Sequence, residues 1–409
     1  MDSRPYDIGH GGLFKFPMNL RDLPASPPRS VFGVGRRLRG HSGSVADLGI
    51  RHFLALLLAP RLLAADPVPL QAPVPVPVPI RLFRVDSLAT WTVQTNGAAL
   101  AWESSVWSPG FAWTEAVPSW NVAAGSAWTI ELKAVGTNQT SEWYPLGHWC
   151  SDTNRAPRSS ATRGTFTGGR VLTDTLRLHQ PATGLQVRLT PGPQTSAADF
   201  RQFSVSLIDT RSTWSEAEPW REAWGHSLAV PLRSQAEYPE GINSWCSPTS
   251  VTMLLAWWRE QRNLPGESVN VPEVARGVYD PGWPGTGNWA FNMAYVGQIP
   301  GLRSAVARLA GIADLERWTA AGLPVATSVS YALLQGRASQ EPGDGHLVVV
   351  HGFTTAGDVE VNDPGVRLSR GHRIVPRPAF QKAWQYSHNT AYLIWLEKSP
   401  LPPGGEGRW

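Results

Sequence analysis

The sequence predicts an N-terminal β-sandwich over residues 83–210 followed by an α+β domain over residues 231–397. Three observations predict it. Stretches such as SAWTIELKAV, TDTLRLHQ and FRQFSVSLIDT alternate apolar and polar residues and are broken by Gly, Pro, Asn and Asp. That is the pattern of antiparallel strands with one buried face. Several of them within about 130 residues fit a sandwich. After Pro231 the pattern changes to a helix-length apolar run, VTMLLAWW, ahead of strand-like segments, which is the order of an α+β domain.

Composition narrows the function classes. Only 17% of the 409 residues are charged and the net charge is +4, so no basic surface for nucleic acid is implied. The densest basic cluster, Arg36-Arg37-Leu38-Arg39, lies far from either region. The two cysteines, Cys150 and Cys246, exclude a disulfide scaffold and a multi-cysteine zinc site. A single bridge between them would silence either as a nucleophile. No metal or cofactor is expected.

Residues 1–50 are rich in Gly, Arg, Ser and Pro and read as a disordered tail or as translation from an upstream start. Residues 51–66 resemble a signal peptide: a basic flank, an apolar run from Phe53 to Ala59, then small residues at Ala64 and Ala65. Pro60 and Arg61 interrupt that run, which is too short to span a bilayer. An extracellular or periplasmic location follows as the expectation. Residues 67–82 contain PVPLQAPVPVPVP, a stiff polyproline spacer. In the sandwich, Trp107, Trp113, Trp120, Trp128, Trp143 and Trp149 could stack on a cell-wall glycan, but filling the core is the commoner fate of tryptophan. Asn138-Gln139-Thr140 is a glycosylation sequon by pattern alone. Residues 211–230 are a linker. Within 231–397, LERWTAAG predicts a helix ended by Gly322, and PVATSVSY a strand. HLVVVHGF and DVEVND predict a hairpin, and TAYLIWLE a last strand. Residues 398–409 are a tail.

The chemistry centres on Gln235–Trp258. Cys246 follows a turn-rich loop and opens the apolar run, where free N–H groups and the helix dipole favour a thiolate. Ser247 and Pro248 fit a helix start, as a capping hydroxyl and a first-turn proline. A thiol nucleophile needs an imidazole and a side chain to orient it. The hairpin offers His346 or His351, and Asn362 or Asp363. The histidines are five residues apart, so on a regular strand they face opposite ways, as do Asn362 and Asp363; only one of each pair can serve. Gln235, at a strand-to-loop junction, could supply an oxyanion donor. Trp283 and Trp289, in the loop 279–289, either line the substrate cleft or pack structurally.

The strings SQAEYPEG, WCSPTS, GTGNWAFNMAY, GLPVATSVS, GHLVVVHGF and DVEVNDP resemble the papain-like cysteine peptidases of family thirty-nine, the bacteriocin-processing type, in its stand-alone secreted branch. The resemblance implies a papain-like fold and a Cys-His-Asp triad made of Cys246, His346 and Asp363, with Gln235 as oxyanion donor. It selects His346 over His351 and Asp363 over Asn362. SWNVAAGSAWTIELKAV, EWYPLGHW and TDTLRL resemble the N-terminal module that accompanies such peptidase domains. The sequence departs from the family in two ways. CSPTS stands where many relatives have Cys-Gly-Pro-Ala, and no GxxxxGK[ST] string or transmembrane segment marks a transporter. The expected function is a secreted cysteine peptidase acting on a peptide or protein, with no nucleic-acid partner and no stable membrane span. The alternative is a catalytically silent papain-like domain whose β-sandwich binds carbohydrate or protein.

Overall fold

The computed structural model describes residues 78–96, 99–137, 139–161, 164–262, 269–338 and 343–409. The expected N-terminal tail, signal segment, most of the spacer and the Asn138 sequon position lie outside the described residues. Strands dominate, with six α-helices among the described residues.

The N-terminal strands in chain order are Ile80–Val85 (β1), Thr92–Asn96 (β2), Ala99–Glu103 (β3), Trp113–Val122 (β4), Ala127–Val135 (β5) and Tyr144–Cys150 (β6). Ser159–Ser160 (β7), Gly164–Phe166 (β8), Gly169–Leu172 (β9), Thr175–Ala182 (β10), Gly184–Pro191 (β11) and Phe200–Ile208 (β12) follow. They form two six-stranded sheets, β1-β12-β4-β10-β9-β8 and β2-β3-β11-β5-β6-β7. Rings from the two sheets meet: Trp120 lies 6.4 Å from Trp149, and Trp128 lies 6.2 Å from Phe200. Trp113, Trp120, Trp128 and Trp149 are buried. Trp107 and Trp143 are half-buried, the latter between Lys133 and Arg188. The spacer expected to reach residue 82 stops earlier, because β1 begins at Ile80 and pairs Ile80 with Ile208. Ile80 and Leu82 already alternate with polar residues, a signal hidden by the prolines beside it.

The C-terminal region begins its pairing within the expected linker, where His226–Ser227 (β13) pairs with Gly345–Phe353 (β16). Its helices are Cys246–Arg262 (α1), Val271–Val278 (α2), Trp289–Gly297 (α3), Ile312–Ala320 (α4), Tyr331–Leu334 (α5) and Arg377–Gln385 (α6). Leu302–Arg308 (β14), Val325–Ser330 (β15), β16, Val359–Asn362 (β17), His372–Val375 (β18) and Thr390–Leu396 (β19) form one antiparallel sheet, ordered β14-β19-β15-β16-β17-β18, with β13 on β16. α1 lies on β16 and buries Val251, Met253, Leu254, Leu255, Trp257 and Trp258. The β16–β17 turn closes with Thr354 N donating to Asp358 O at 2.9 Å, and Gly357 takes φ +84° there.

β14 is an edge strand, and such edges need cover. The N-terminal module covers this one with side chains. Ser304 N donates to Asn121 Oδ1 (2.9 Å) while Asn121 Nδ2 donates to Ser304 O (3.0 Å). Val306 N donates to Ser119 Oγ (3.0 Å) and Arg308 N to Ser206 Oγ (2.9 Å). The buried Arg308 guanidinium reaches Glu115 of β4 at 3.1 Å. Arg158 donates to the carbonyls of Arg276, Gly277 and Tyr279, at the C-terminal end of α2. The expected tail is also fastened: Arg408 pairs with Asp314 at 2.7 Å, and Leu82 N donates to Gly407 O at 2.6 Å.

Candidate active site

Cys246 is the first residue of α1. The helix ladder starts with Thr249 N donating to Trp245 O at 2.9 Å, which leaves the N–H groups of Cys246 and Ser247 outside it. Pro248 has no N–H to lose. Ser247 does not cap the helix as expected: its hydroxyl is buried and bonds the Tyr392 hydroxyl at 2.9 Å. Cys246 is half-buried and unbridged, and Cys150 is buried and separate from it.

His346 stands near the start of β16, paired with Val329 of β15, and Asp363 follows the end of β17. Together they bring an imidazole and a carboxylate to the N-terminus of α1. His346 Nε2 lies 2.7 Å from Asp363 Oδ1, and the imidazole is also hydrogen-bonded to the Cys246 thiol. Asp363 Oδ1 accepts from Gly365 N–H as well (2.8 Å), and Oδ2 accepts from Arg373 Nη1 (2.7 Å). The Tyr331 ring meets the imidazole edge-on, with centroids 4.8 Å apart.

The electrostatics follow from these contacts. Burial works against a charged thiol, but the His346 imidazole and the N–H groups of Leu347 and Ser247 outweigh it and hold the Cys246 pKa below its ordinary value. Burial pulls the His346 pKa down, yet hydrogen bonds with Asp363 and Cys246 raise it to about 10. Burial would raise the Asp363 pKa, yet His346 and Arg373 lower it to about 2. The three shifts all run toward the thiolate, imidazolium and carboxylate forms.

The alternatives in the hairpin go elsewhere. His351 Nε2 faces His372 Nδ1 at 3.2 Å, and burial together with His372 pushes its pKa down to about 4. Asn362 Nδ2 donates to Val230 O at 2.9 Å. The parity reasoning assumed a regular strand, whereas β16 carries a bulge opposite β17 between Val350 and Gly352.

Gln235 lies on a short 3₁₀ turn, Gln235–Glu237, where a strand-to-loop junction was expected. It is buried, its backbone N–H donates to Pro364 O (3.0 Å), and Nε2 donates to Ile242 O (2.8 Å). It thus ties the loop before Cys246 to the residue after Asp363. The loop 279–289 touches the same region through Thr286 Oγ1, which donates to Ser244 O at 2.8 Å. Trp283 is half-buried over Gly285 and Gly287 of its own loop. Trp289 opens α3 toward the module: its N–H donates to Asp174 Oδ2 (2.6 Å), and the Arg308 guanidinium stands 5.4 Å from its ring. Sequence reasoning missed Tyr331, Gly365 and Arg373, because nothing local says that they meet Asp363 or His346. Among the described residues no group of three or more His, Cys, Asp or Glu could hold a metal ion, and no helix is long and apolar enough to cross a membrane.

A cysteine at the head of a helix, an imidazole from a facing antiparallel sheet and a carboxylate behind it fit the papain-like class of fold. Residues 227–392 match the Peptidase_C39 like family, and residues 86–200 match the Peptidase C39 N-terminal domain. A crystallised protein described as a C39-like peptidase from Bacillus anthracis is similar at 18% identity, with a TM-score of 0.33, over 43% of this chain and 100% of its own. No curated protein matches the chain.

Proposed function

We propose that the protein is a cysteine peptidase in which Cys246 is the nucleophile, His346 the proton carrier, Asp363 its orienter and Gln235 an oxyanion donor. One observation carries the reading: a single buried imidazole is hydrogen-bonded both to Asp363 Oδ1, at 2.7 Å, and to the thiol at a helix start. The Cys246 thiolate attacks a peptide carbonyl. The developing oxyanion takes the Cys246 N–H and the second N–H of the Gln235 amide, whose first is held by Ile242 O. Imidazolium His346 protonates the leaving amine as the C–N bond breaks, and the acyl group stays on sulfur. His346 then takes a proton from water, which attacks the thioester and releases the acid. Asp363 keeps the Nε2 side of the ring occupied, so that the other nitrogen faces sulfur.

Trp283 is proposed as a wall for substrate side chains, and export as the destination of the chain, on the pattern of residues 51–66. The N-terminal module is proposed as a β-sandwich that supports the peptidase sheet. Four of the six tryptophans that could stack on a glycan are buried, which favours that support role over glycan binding. The test of the peptidase is digestion of a denatured protein substrate by the full chain and by Cys246→Ala. Loss of cleavage with an unchanged melting curve is expected. Undiminished cleavage by Cys246→Ala would sink the reading.

A further inference from the structure

The Asp363 carboxylate is fully buried, yet one of its partners comes from the surface. Arg373, on β18, keeps 24% of its side chain exposed and reaches inward to Asp363 Oδ2 at 2.7 Å. Its second arm, Nη2, donates to Leu334 O at 3.3 Å, at the end of α5. That helix starts with Tyr331, the ring set edge-on against His346 at 68°. One planar guanidinium therefore ties two things together: the carboxylate behind the imidazole and the helix that carries the aromatic wall beside it. The fork geometry suits this double task, which a point charge cannot perform. Gly365 N–H and His346 both use Oδ1, so Arg373 decides which oxygen is left for them.

We propose that Arg373 is a positioning residue of the site: it fixes the Asp363 carboxylate with Oδ1 toward His346 Nε2 and pins Tyr331 against the imidazole. The proposal rests on the peptidase reading above. A simpler role, a positive charge and nothing more, predicts the opposite outcome. Removing a nearby positive charge would let His346 keep its proton to higher pH. Removing a positioning group frees the carboxylate to turn away, so His346 loses its proton at lower pH. The charged and titratable groups facing this corner are Cys246, His346, Asp363, Arg373 and Tyr331, with Arg337 stacked on Tyr331.

Alkylation of Cys246 reads this without knowledge of the substrate. Iodoacetate, an anion, is favoured over neutral iodoacetamide while the imidazolium stands beside the thiolate, and the preference fades as His346 deprotonates. The rate ratio is followed against pH in the full chain; Cys150 is fully buried and gives a slow background. In Arg373→Met the pH of the transition is expected to fall by about one unit or more, with overall alkylation slowed at neutral pH. Arg373→Lys is expected to fall between the two, since it keeps the charge and loses the fork. If Arg373→Met does not fold, Arg373→Lys decides: a lowered transition supports the proposal and an unchanged one overturns it. An unchanged or raised transition in a folded Arg373→Met overturns positioning alone. Absence of any iodoacetate preference in the unaltered chain defeats the peptidase reading and this proposal with it.

Discussion

Asn121 offers a sharp test of how the two regions depend on each other. Its amide mimics a missing strand: Oδ1 accepts from Ser304 N–H at 2.9 Å and Nδ2 donates to Ser304 O at 3.0 Å. Asn121→Ala removes both. The carbonyl keeps a partner, because Gln202 Nε2 donates to it at 3.1 Å. The N–H loses its acceptor inside the seam, where both residues are fully buried. An orphaned buried donor costs roughly 1–3 kcal/mol. At 2–4 °C per kcal/mol, the melting temperature should fall by roughly 2–12 °C. Thr129→Val is the control. It breaks an exposed bond of similar length, 2.8 Å to His148, and should change stability by about 0.5 kcal/mol or less. Thermal unfolding of the full chain, followed by circular dichroism, measures both. Equal melting temperatures for Asn121→Ala and the unaltered chain would refute the claim that the module seals the β14 edge.

Further outcomes follow from the site. Gly365→Ala would place a Cβ 2.8 Å from His346 Cε1 and 3.2 Å from Asp363 Oδ1, so the pair must separate; cleavage should fall about 100-fold and the melting temperature should fall with it, and a fully active variant would contradict the geometry. Gln235→Ala should lower kcat by about 10²–10³ if the amide stabilises the oxyanion; kinetics with KM held in view would show whether the loss is in kcat. Asp363 has a folded pKa of about 2 against 3.8 unfolded, so its contribution is present above pH 3.8 and is lost as pH falls toward 2. It is fully buried, and the shift corresponds to about 2 kcal/mol; Asp363→Asn should flatten the acid limb of a stability-versus-pH curve, and an unflattened limb would assign that limb elsewhere. His346 runs the other way: its folded pKa is raised, so its stabilisation is full below 6.5 and fades as pH rises through about 10, which unfolding titrations of His346→Ala would check.

What could be read in the sequence was what is local and periodic. β5, α1 and the β16–β17 hairpin announced themselves by period, apolar length and a glycine at the turn. β14 did not, because LRSAVAR is buried on both faces and offers no alternation, and its Arg308 reads as a surface residue. β13 is two residues long and exists only through its pairing with β16. His346 and His351 meet different partners, but strand parity does not account for it, because the bulge at His351 breaks the regularity that parity assumes. Register protects His346, four pairs away from the bulge on the β15 side, where the ladder is unbroken. Ser247 misled for a different reason. A hydroxyl beside a helix start reads as a cap, but a buried tyrosine from β19 bids for it, and no local pattern reports that Tyr392 lies opposite.

The two ends of the peptidase sheet carry different tasks. At the β16–β17 side, Cys246, His346 and Asp363 converge from a helix start, a strand start and a strand end, so small shifts between these elements would change their spacing. At the β14 side, Ser119, Asn121 and Ser206 hold successive backbone N–H groups in place of a neighbouring strand. An edge left open there would expose N–H groups at Ser304, Val306 and Arg308 and a buried guanidinium paired with Glu115. Cutting the chain before residue 211 removes all four partners at once. The shortened protein should therefore aggregate or lose its cooperative melt, and its thiol chemistry should fail for lack of a fixed sheet. A soluble fragment with full alkylation selectivity would show that the edge can stand alone. The prediction separates support from chemistry: Asn121→Ala should lower the melt while leaving the iodoacetate preference of folded molecules intact, because nothing on that edge touches the imidazole.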